Sequence, residues 1–165
     1  MAAWSKDGSV GLGDWQPSWD GTKVAYQLKE NNSDEATLRV IDVATGKVSE
    51  VDVIAGGKYA SASWTPDGSG FYYTWLPTDP KVPVDERPGY QEVRFHRLGE
   101  DPAKDRVVHG KLGDPTAFLG AGVSRNGRWL VLSIQHGWTS NDVLFRDLAD
   151  PAQADRWTPL VVGTE

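Results

Sequence analysis

Thr65-Pro66-Asp67-Gly68-Ser69-Gly70-Phe71-Tyr72-Tyr73 superimposes without gaps on Ser18-Trp19-Asp20-Gly21-Thr22-Lys23-Val24-Ala25-Tyr26 and on Ser124-Arg125-Asn126-Gly127-Arg128-Trp129-Leu130-Val131-Leu132. Each copy is a hydroxyl residue, a variable residue, an Asp-Gly or Asn-Gly pair and then an apolar stretch. Asp-Gly and Asn-Gly supply positive φ at both centres of a type I′ turn, so each copy is predicted to join two antiparallel strands through a two-residue hairpin. The turn glycines Gly21, Gly68 and Gly127 are 47 and 59 residues apart, which is a repeat and not a coincidence of turns.

A second aligned set follows each hairpin: Leu38-Arg39-Val40-Ile41-Asp42-Val43, Val93-Arg94-Phe95-His96-Arg97-Leu98 and Val143-Leu144-Phe145-Arg146-Asp147-Leu148. Apolar residues hold the first, third and sixth positions, as a third strand requires. Turn residues and a short fourth strand come next, around Val48 to Val53, Arg106 to His109 and Trp157 to Val162. Four antiparallel strands in about 45 residues is the blade period of a propeller. The predicted fold is all-β, a partial β-propeller of three four-stranded antiparallel blades in one domain, 1–165. Blade one covers about 12–53, blade two about 58–109 and blade three about 116–162. The excess length of blade two falls in 77–89, where Pro77, Pro80, Pro83 and Pro88 prevent a regular ladder. That segment reads as a projecting loop in preference to an interdomain linker, because the repeat resumes in phase beyond it.

Phe71-Tyr72-Tyr73-Thr74-Trp75 and Trp129-Leu130-Val131-Leu132 are apolar at consecutive positions, which a strand with one wet face would not be. Blades stacked face to face account for this. Three of them leave two apolar end faces, so either further blades or self-association through those faces is expected.

Composition narrows the function classes. A net charge of -6 disfavours nucleic-acid and anionic-membrane partners, which need a basic patch. No apolar run approaches membrane-helix length. The absence of Cys removes disulfides and thiolate chemistry and fits a reducing compartment, so a cytoplasmic location is expected, with the periplasm as the alternative. No cofactor motif is present. The three histidines, His96, His109 and His136, lack metal-ligand spacing, so no metal site is expected and His96 is read as a surface or blade-packing residue. Gly122-Val123-Ser124-Arg125-Asn126 is the nearest approach to a hydrolase nucleophile elbow. It lacks the final Gly and leads into a strand, so Ser124 is read as a hairpin hydroxyl and no catalytic residue is assigned. Asp42 and Asp147 share one strand position and are expected to make structural hydrogen bonds. Asn31-Asn32-Ser33 is a glycosylation sequon by letter.

One constellation survives. Leu12, Tyr59 and Phe118 each lie nine residues before a turn glycine, at one end of the predicted first strand of each blade. First strands line a propeller's channel, so these residues are expected to form an arc at one mouth. Phe118 is predicted to pair opposite Gln135, bringing His136, Gly137 and Trp138 to the same rim. Packing between blades is the competing role for these side chains.

Gly56-Gly57-Lys58-Tyr59 through Trp64-Thr65-Pro66-Asp67-Gly68-Ser69-Gly70-Phe71-Tyr72-Tyr73, followed by Phe95-His96-Arg97-Leu98-Gly99, Asp105 and Val108, resembles the propeller of prolyl oligopeptidases, especially bacterial prolyl endopeptidases. Trp4-Ser5-Lys6-Asp7-Gly8 and Ser133-Ile134 with Gly137 extend the resemblance over essentially the whole chain. It implies a seven-bladed parent propeller and, as partner, a catalytic α/β-hydrolase domain that cleaves short proline-containing peptides. The serine triad of that family belongs to the hydrolase domain, and its Gly-Gly-Ser-Asn-Gly-Gly run is absent here, so this chain is expected to be inactive alone. By the same resemblance Tyr59 and Phe118 match positions lining outer substrate subsites. Gln135 and Trp138 match the polar edge, where family members often carry Arg and Cys. The role implied is a gate for short peptides, and the alternative is an interaction scaffold.

Overall fold

The computed structural model describes residues 5, 7–31, 33 and 35–164; Met1 to Trp4, Lys6, Asn32, Asp34 and Glu165 lie outside the described residues, and with them Trp4 and Lys6 of the resemblance and Asn32 of the sequon. Twelve strands form three four-stranded antiparallel sheets, each in sequence order. The first sheet holds β1 (Val10–Pro17), β2 (Lys23–Glu30), β3 (Thr37–Asp42) and β4 (Val48–Ile54). The second holds β5 (Ser63–Trp64), β6 (Gly70–Trp75), β7 (Glu92–Arg97) and β8 (Arg106–His109), and the third β9 (Ala117–Val123), β10 (Trp129–His136), β11 (Ser140–Asp147) and β12 (Thr158–Thr164). The only helices among the described residues are two 3-10 turns, Arg87–Tyr90 and Pro102–Lys104. These sheets are three blades of a propeller that does not close.

The hairpin turns occur where the repeat puts them, with a geometry other than the predicted one. Gly21, Gly68 and Gly127 have positive φ, but Asp20, Asp67 and Asn126 do not. The Gly21 N–H donates to the Ser18 carbonyl and the Ser18 N–H to the Lys23 carbonyl, with identical pairs at 65–70 and 124–129. Each connection is therefore a four-residue loop built on a type I turn with a left-handed glycine at its end, not a two-residue type I′ hairpin. The side chains explain the choice. The Asp20 carboxylate accepts from the Thr22 N–H and from the Ser18 and Thr22 hydroxyls, and Asp67 accepts likewise from Ser69 and Thr65. An acid that reaches two residues ahead stabilises the four-residue loop. These bonds hold both carboxyl groups down at about 2.

The blades stack through two cores. Ala25, Leu38, Val40 and Ile54 of the first sheet meet Ala60, Ala62, Trp64, Phe71 and Tyr73, forming one seam. Tyr72, Val93 and Val108 of the second meet Ala117, Leu119, Leu130, Leu132 and Ile134, forming the other. Successive side chains of β6 thus serve opposite seams, Phe71 and Tyr73 one way and Tyr72 the other, as strand pleating dictates. Two indole bonds tie the first seam: Trp19 Nε1 donates to the Trp64 carbonyl at 3.1 Å, and Trp64 Nε1 to the Gln16 carbonyl at 3.0 Å. Across the second, the Val123 N–H donates to Ser63 Oγ at 2.9 Å and the Thr74 hydroxyl to the Leu119 carbonyl at 3.0 Å.

Candidate functional site

The rim is built at the ends of the first strands. Phe118 lies in β9 and pairs with Gln135 of β10, the register its distance from Gly127 predicted. Leu12 lies in β1. Tyr59 departs from the strand pattern: β5 is only two residues long, and Tyr59 precedes it in a turn closed by the Ala60 N–H on the Gly57 carbonyl. The Tyr59 and Phe118 rings nevertheless meet edge to face with centroids 5.7 Å apart, a favourable arrangement of two ring quadrupoles. The contact spans the second seam.

Phe118 and Leu12 are each about 40% exposed, and Trp138 is wholly exposed. Trp138 sits in the short connection between β10 and β11, whose neighbouring Gly137 carbonyl accepts a bond from Gln135 Nε2 at 3.1 Å. His136 at the same end bonds Asp142 at 2.9 Å. Beside Tyr59 a hollow of about 290 Å³ is lined by Gln16, Ser61, Ser63, Leu119 and Gly120. Its walls come from β1, β9 and the segment entering and forming β5, so all three blades converge on it. A roomier hollow of about 470 Å³ lies at the β3–β4 edge, but there Asp42 pairs with Lys23 and accepts both the N–H and the hydroxyl of Thr45. That cluster satisfies itself and offers no nucleophile with a base.

The other chemistry-bearing residues are structural. Ser124 Oγ accepts the Trp129 N–H at 2.9 Å and donates to Asn126, which is the hairpin role read from sequence. Asp147 receives a two-pronged bond from Arg128, at 3.0 and 2.7 Å. His96 is completely buried at the first seam. Its Nδ1 lies 2.9 Å from Asp105 and its Nε2 2.9 Å from Asp52 of β4. The Tyr73 hydroxyl donates to the second Asp105 oxygen at 2.7 Å, and the Gly99 N–H donates to Asp52 at 2.7 Å. Burial opposes a charge on the imidazole, yet the bonds and charges of Asp105 and Asp52 outweigh it and raise the His96 pKa. An imidazolium donating from both nitrogens fits this geometry. Burial, followed by the bond to Asp105, pushes the Tyr73 phenol far up, so it stays a proton donor. This chain of four side chains is a clamp between blades, not a catalytic relay.

Comparison with known proteins fixes the lineage. Residues 2–165 match the family model described as the N-terminal β-propeller domain of prolyl oligopeptidase. The chain belongs to the prolyl oligopeptidase family. Among curated relatives, the prolyl endopeptidase of Elizabethkingia meningoseptica is 25% identical over 96% of this chain, and prolyl oligopeptidase A of Galerina marginata is 26% identical over 91%. In both cases the chain spans about 22% of the relative's length. A solved structure from a study of two prolyl endopeptidases and the role of inter-domain dynamics in their catalysis and specificity is 55% identical. It superimposes with a TM-score of 0.91 over 98% of this chain and 23% of its own. Prolyl oligopeptidase B from Galerina marginata bound to a 25mer macrocyclization substrate shares the fold at 20% identity and TM-score 0.83, over 99% of this chain and 24% of its own.

Sequence reasoning missed three residues at these seams, Gln27, Gln91 and Asp52. A glutamine between strand residues carries no motif. Its partners here are backbone atoms about 30 residues away, which no local pattern encodes.

Proposed function

We propose that this segment is a noncatalytic part of a prolyl oligopeptidase propeller, gating the access of short proline-containing peptides to a serine-hydrolase active site on an α/β-hydrolase domain outside this chain. The observation that carries the reading is the Tyr59–Phe118 ring contact across the second seam, beside a hollow walled by three blades. Flat, half-exposed rings at the mouth of a channel suit a proline ring, which presents an apolar face. Gln135 and Trp138 supply the polar edge and a further exposed ring. The family membership supports a hydrolase partner, and prolyl oligopeptidase B from Galerina marginata binds a 25mer macrocyclization substrate.

The test uses a polypeptide that carries this segment together with a prolyl-peptidase catalytic domain. Tyr59→Ala should raise KM for peptides of six or more residues about fivefold, corresponding to about 1 kcal/mol for a lost ring contact. Dipeptide-sized chromogenic substrates should be unaffected, and equal kinetics on both would discard the role.

A second reading, a self-associating scaffold, draws on the outer face of the third sheet, where Val131 and Val161 share a face through the pairing of Ser133 with Val143 and of Val143 with Val161, and are exposed. Light scattering on the 165-residue chain separates the two. A discrete oligomer that dissociates on Val131→Lys favours the scaffold, whereas a monomer removes it.

A further inference from the structure

Tyr59 and Phe118 come from different blades and from different kinds of backbone, a turn and a strand. Each is flanked on both sides by groups bonded to a buried glutamine of the preceding blade. Gln27 of β2 is 6% exposed. Its Nε2 donates to the carbonyls of Gly57 at 2.9 Å, Lys58 at 3.3 Å and Ala60 at 2.8 Å, and its Oε1 accepts the Asp14 N–H at 3.1 Å. Gln91, just before β7, is 2% exposed. Its Nε2 donates to the carbonyls of Pro88 at 2.7 Å and Ala117 at 2.8 Å, and its Oε1 accepts the Leu119 N–H at 3.1 Å.

We infer that Gln27 and Gln91 are positioning residues: the first blade sets Tyr59 and the second blade sets Phe118, so that the two rings meet at the rim. Two neutral groups of matching length bridge blade to blade without burying a charge, and every amide atom is used. The local sequence is shaped around the first bridge. A Cβ on Gly13 would stand 2.4 Å from Gln27 Oε1, and one on Gly57 2.9 Å from the Leu38 nitrogen, so both positions are glycine to let the amide and the rim turn approach. Without the amide, the carbonyls on either side of Tyr59 lose their donor, while beside Phe118 the Ala117 carbonyl loses its donor and the Leu119 N–H its acceptor, and the backbone must move toward water to recover partners. The functional consequence rests on the peptide-rim reading above, but the geometric one does not.

Methionine keeps the volume of glutamine and removes its hydrogen bonds, so Gln27→Met and Gln91→Met are the variants, made separately so that either suffices if the other fails to fold. In the 165-residue chain, nuclear Overhauser contacts between the Tyr59 and Phe118 rings should disappear in both variants. Ile134→Val is the control: it loosens the same seam without touching either amide, and should lower the melting midpoint while leaving the ring contact intact. Gly13→Ala, which displaces Gln27, should reproduce the Gln27→Met spectrum. In the polypeptide carrying the catalytic domain, Gln91→Met should raise KM for long peptides severalfold with kcat on dipeptide-sized substrates unchanged. Ring contacts that persist in folded Gln27→Met and Gln91→Met overturn the inference. Long-peptide KM values unmoved by Tyr59→Ala and Phe118→Ala overturn the peptide-rim reading instead, while loss of the ring contacts still supports the positioning role.

Discussion

The second blade and the third have the same strand order and the same turn, yet their second strands live in different surroundings. In β6, Gly70 to Thr74 are all buried, whereas β10 alternates between buried Leu130, Leu132 and Ile134 and exposed Val131, Ser133 and Gln135. The difference is coverage: a strand with a neighbour on both faces has no wet side, and one with a single neighbour does. The third sheet's sequence is written for two neighbours, and this chain supplies one. The hydrophobic energy per residue is therefore largest in the middle blade.

That contrast is broken most forcefully in the middle. Phe71→Ala should cost about 4 kcal/mol in thermal or denaturant unfolding, because a fully buried ring in contact with Trp64, Tyr73 and His96 leaves a cavity. Val131→Ala, on the open face, should cost roughly 0.5 kcal/mol. Equal costs would mean that the two strands are equally covered.

The seams themselves differ, since the first contains a buried ionic clamp, whereas the ion pair across the second, Arg106 to Asp155, is exposed and the Arg146 guanidinium there donates to the neutral Val108 carbonyl. His96→Leu should cost about 3 kcal/mol by leaving Asp52 and Asp105 buried without their shared partner. The pH dependence has a definite sign. The folded-state pKa of His96 is raised above its unfolded value of about 6.5. The clamp's contribution is therefore complete below that value and is lost as pH rises through the folded pKa. Asp52 is shifted the other way: burial would raise it, but bonds from Ser49, Gly99 and His96 prevail and lower it, so its share is present above the ordinary carboxylate range and lost in acid. Tyr73 and Arg94 are the other ionisable groups of the cluster; Arg94 is itself paired with Glu92 and stacked on Trp75. Melting midpoints should fall on the alkaline side in the native chain, and that limb should flatten in His96→Leu.

The turns provide the smallest contrast. Asp20 and Asp67 are held at about 2, so their bonds help above the ordinary carboxylate pKa and fail as pH falls toward 2, whereas Asn126 holds the equivalent bonds without titrating. Amide exchange at 18–23 and 65–70 should accelerate in acid relative to 124–129. Asp67→Asn should abolish the acceleration at its own turn.

The repeat made the blades and their order readable because turn chemistry recurs every blade. The turn type is not legible in the same way, because Asp-Gly suits either a two-residue or a four-residue loop, and the side-chain bonds of the hydroxyls at Ser18, Thr65 and Ser124 with Asp20, Asp67 and Asn126 decide between them. The nine-residue spacing located Phe118 and its pairing with Gln135, but not the turn at Tyr59, where β5 shrinks to two residues. His96 and Asp52 lie 44 residues apart. Only the stacking of blades brings such partners together, so neither the clamp nor the glutamine bridges could be seen before the fold was known.

Face-to-face stacking is tested most directly by hydrogen exchange on the 165-residue chain. Amides of β6 from Phe71 to Trp75 should exchange only through global unfolding, and those of β11 and β12 in the third sheet should open at lower free energy. If β6 exchanges as fast as those strands, the middle sheet has no neighbour on either side and the stacked arrangement is wrong.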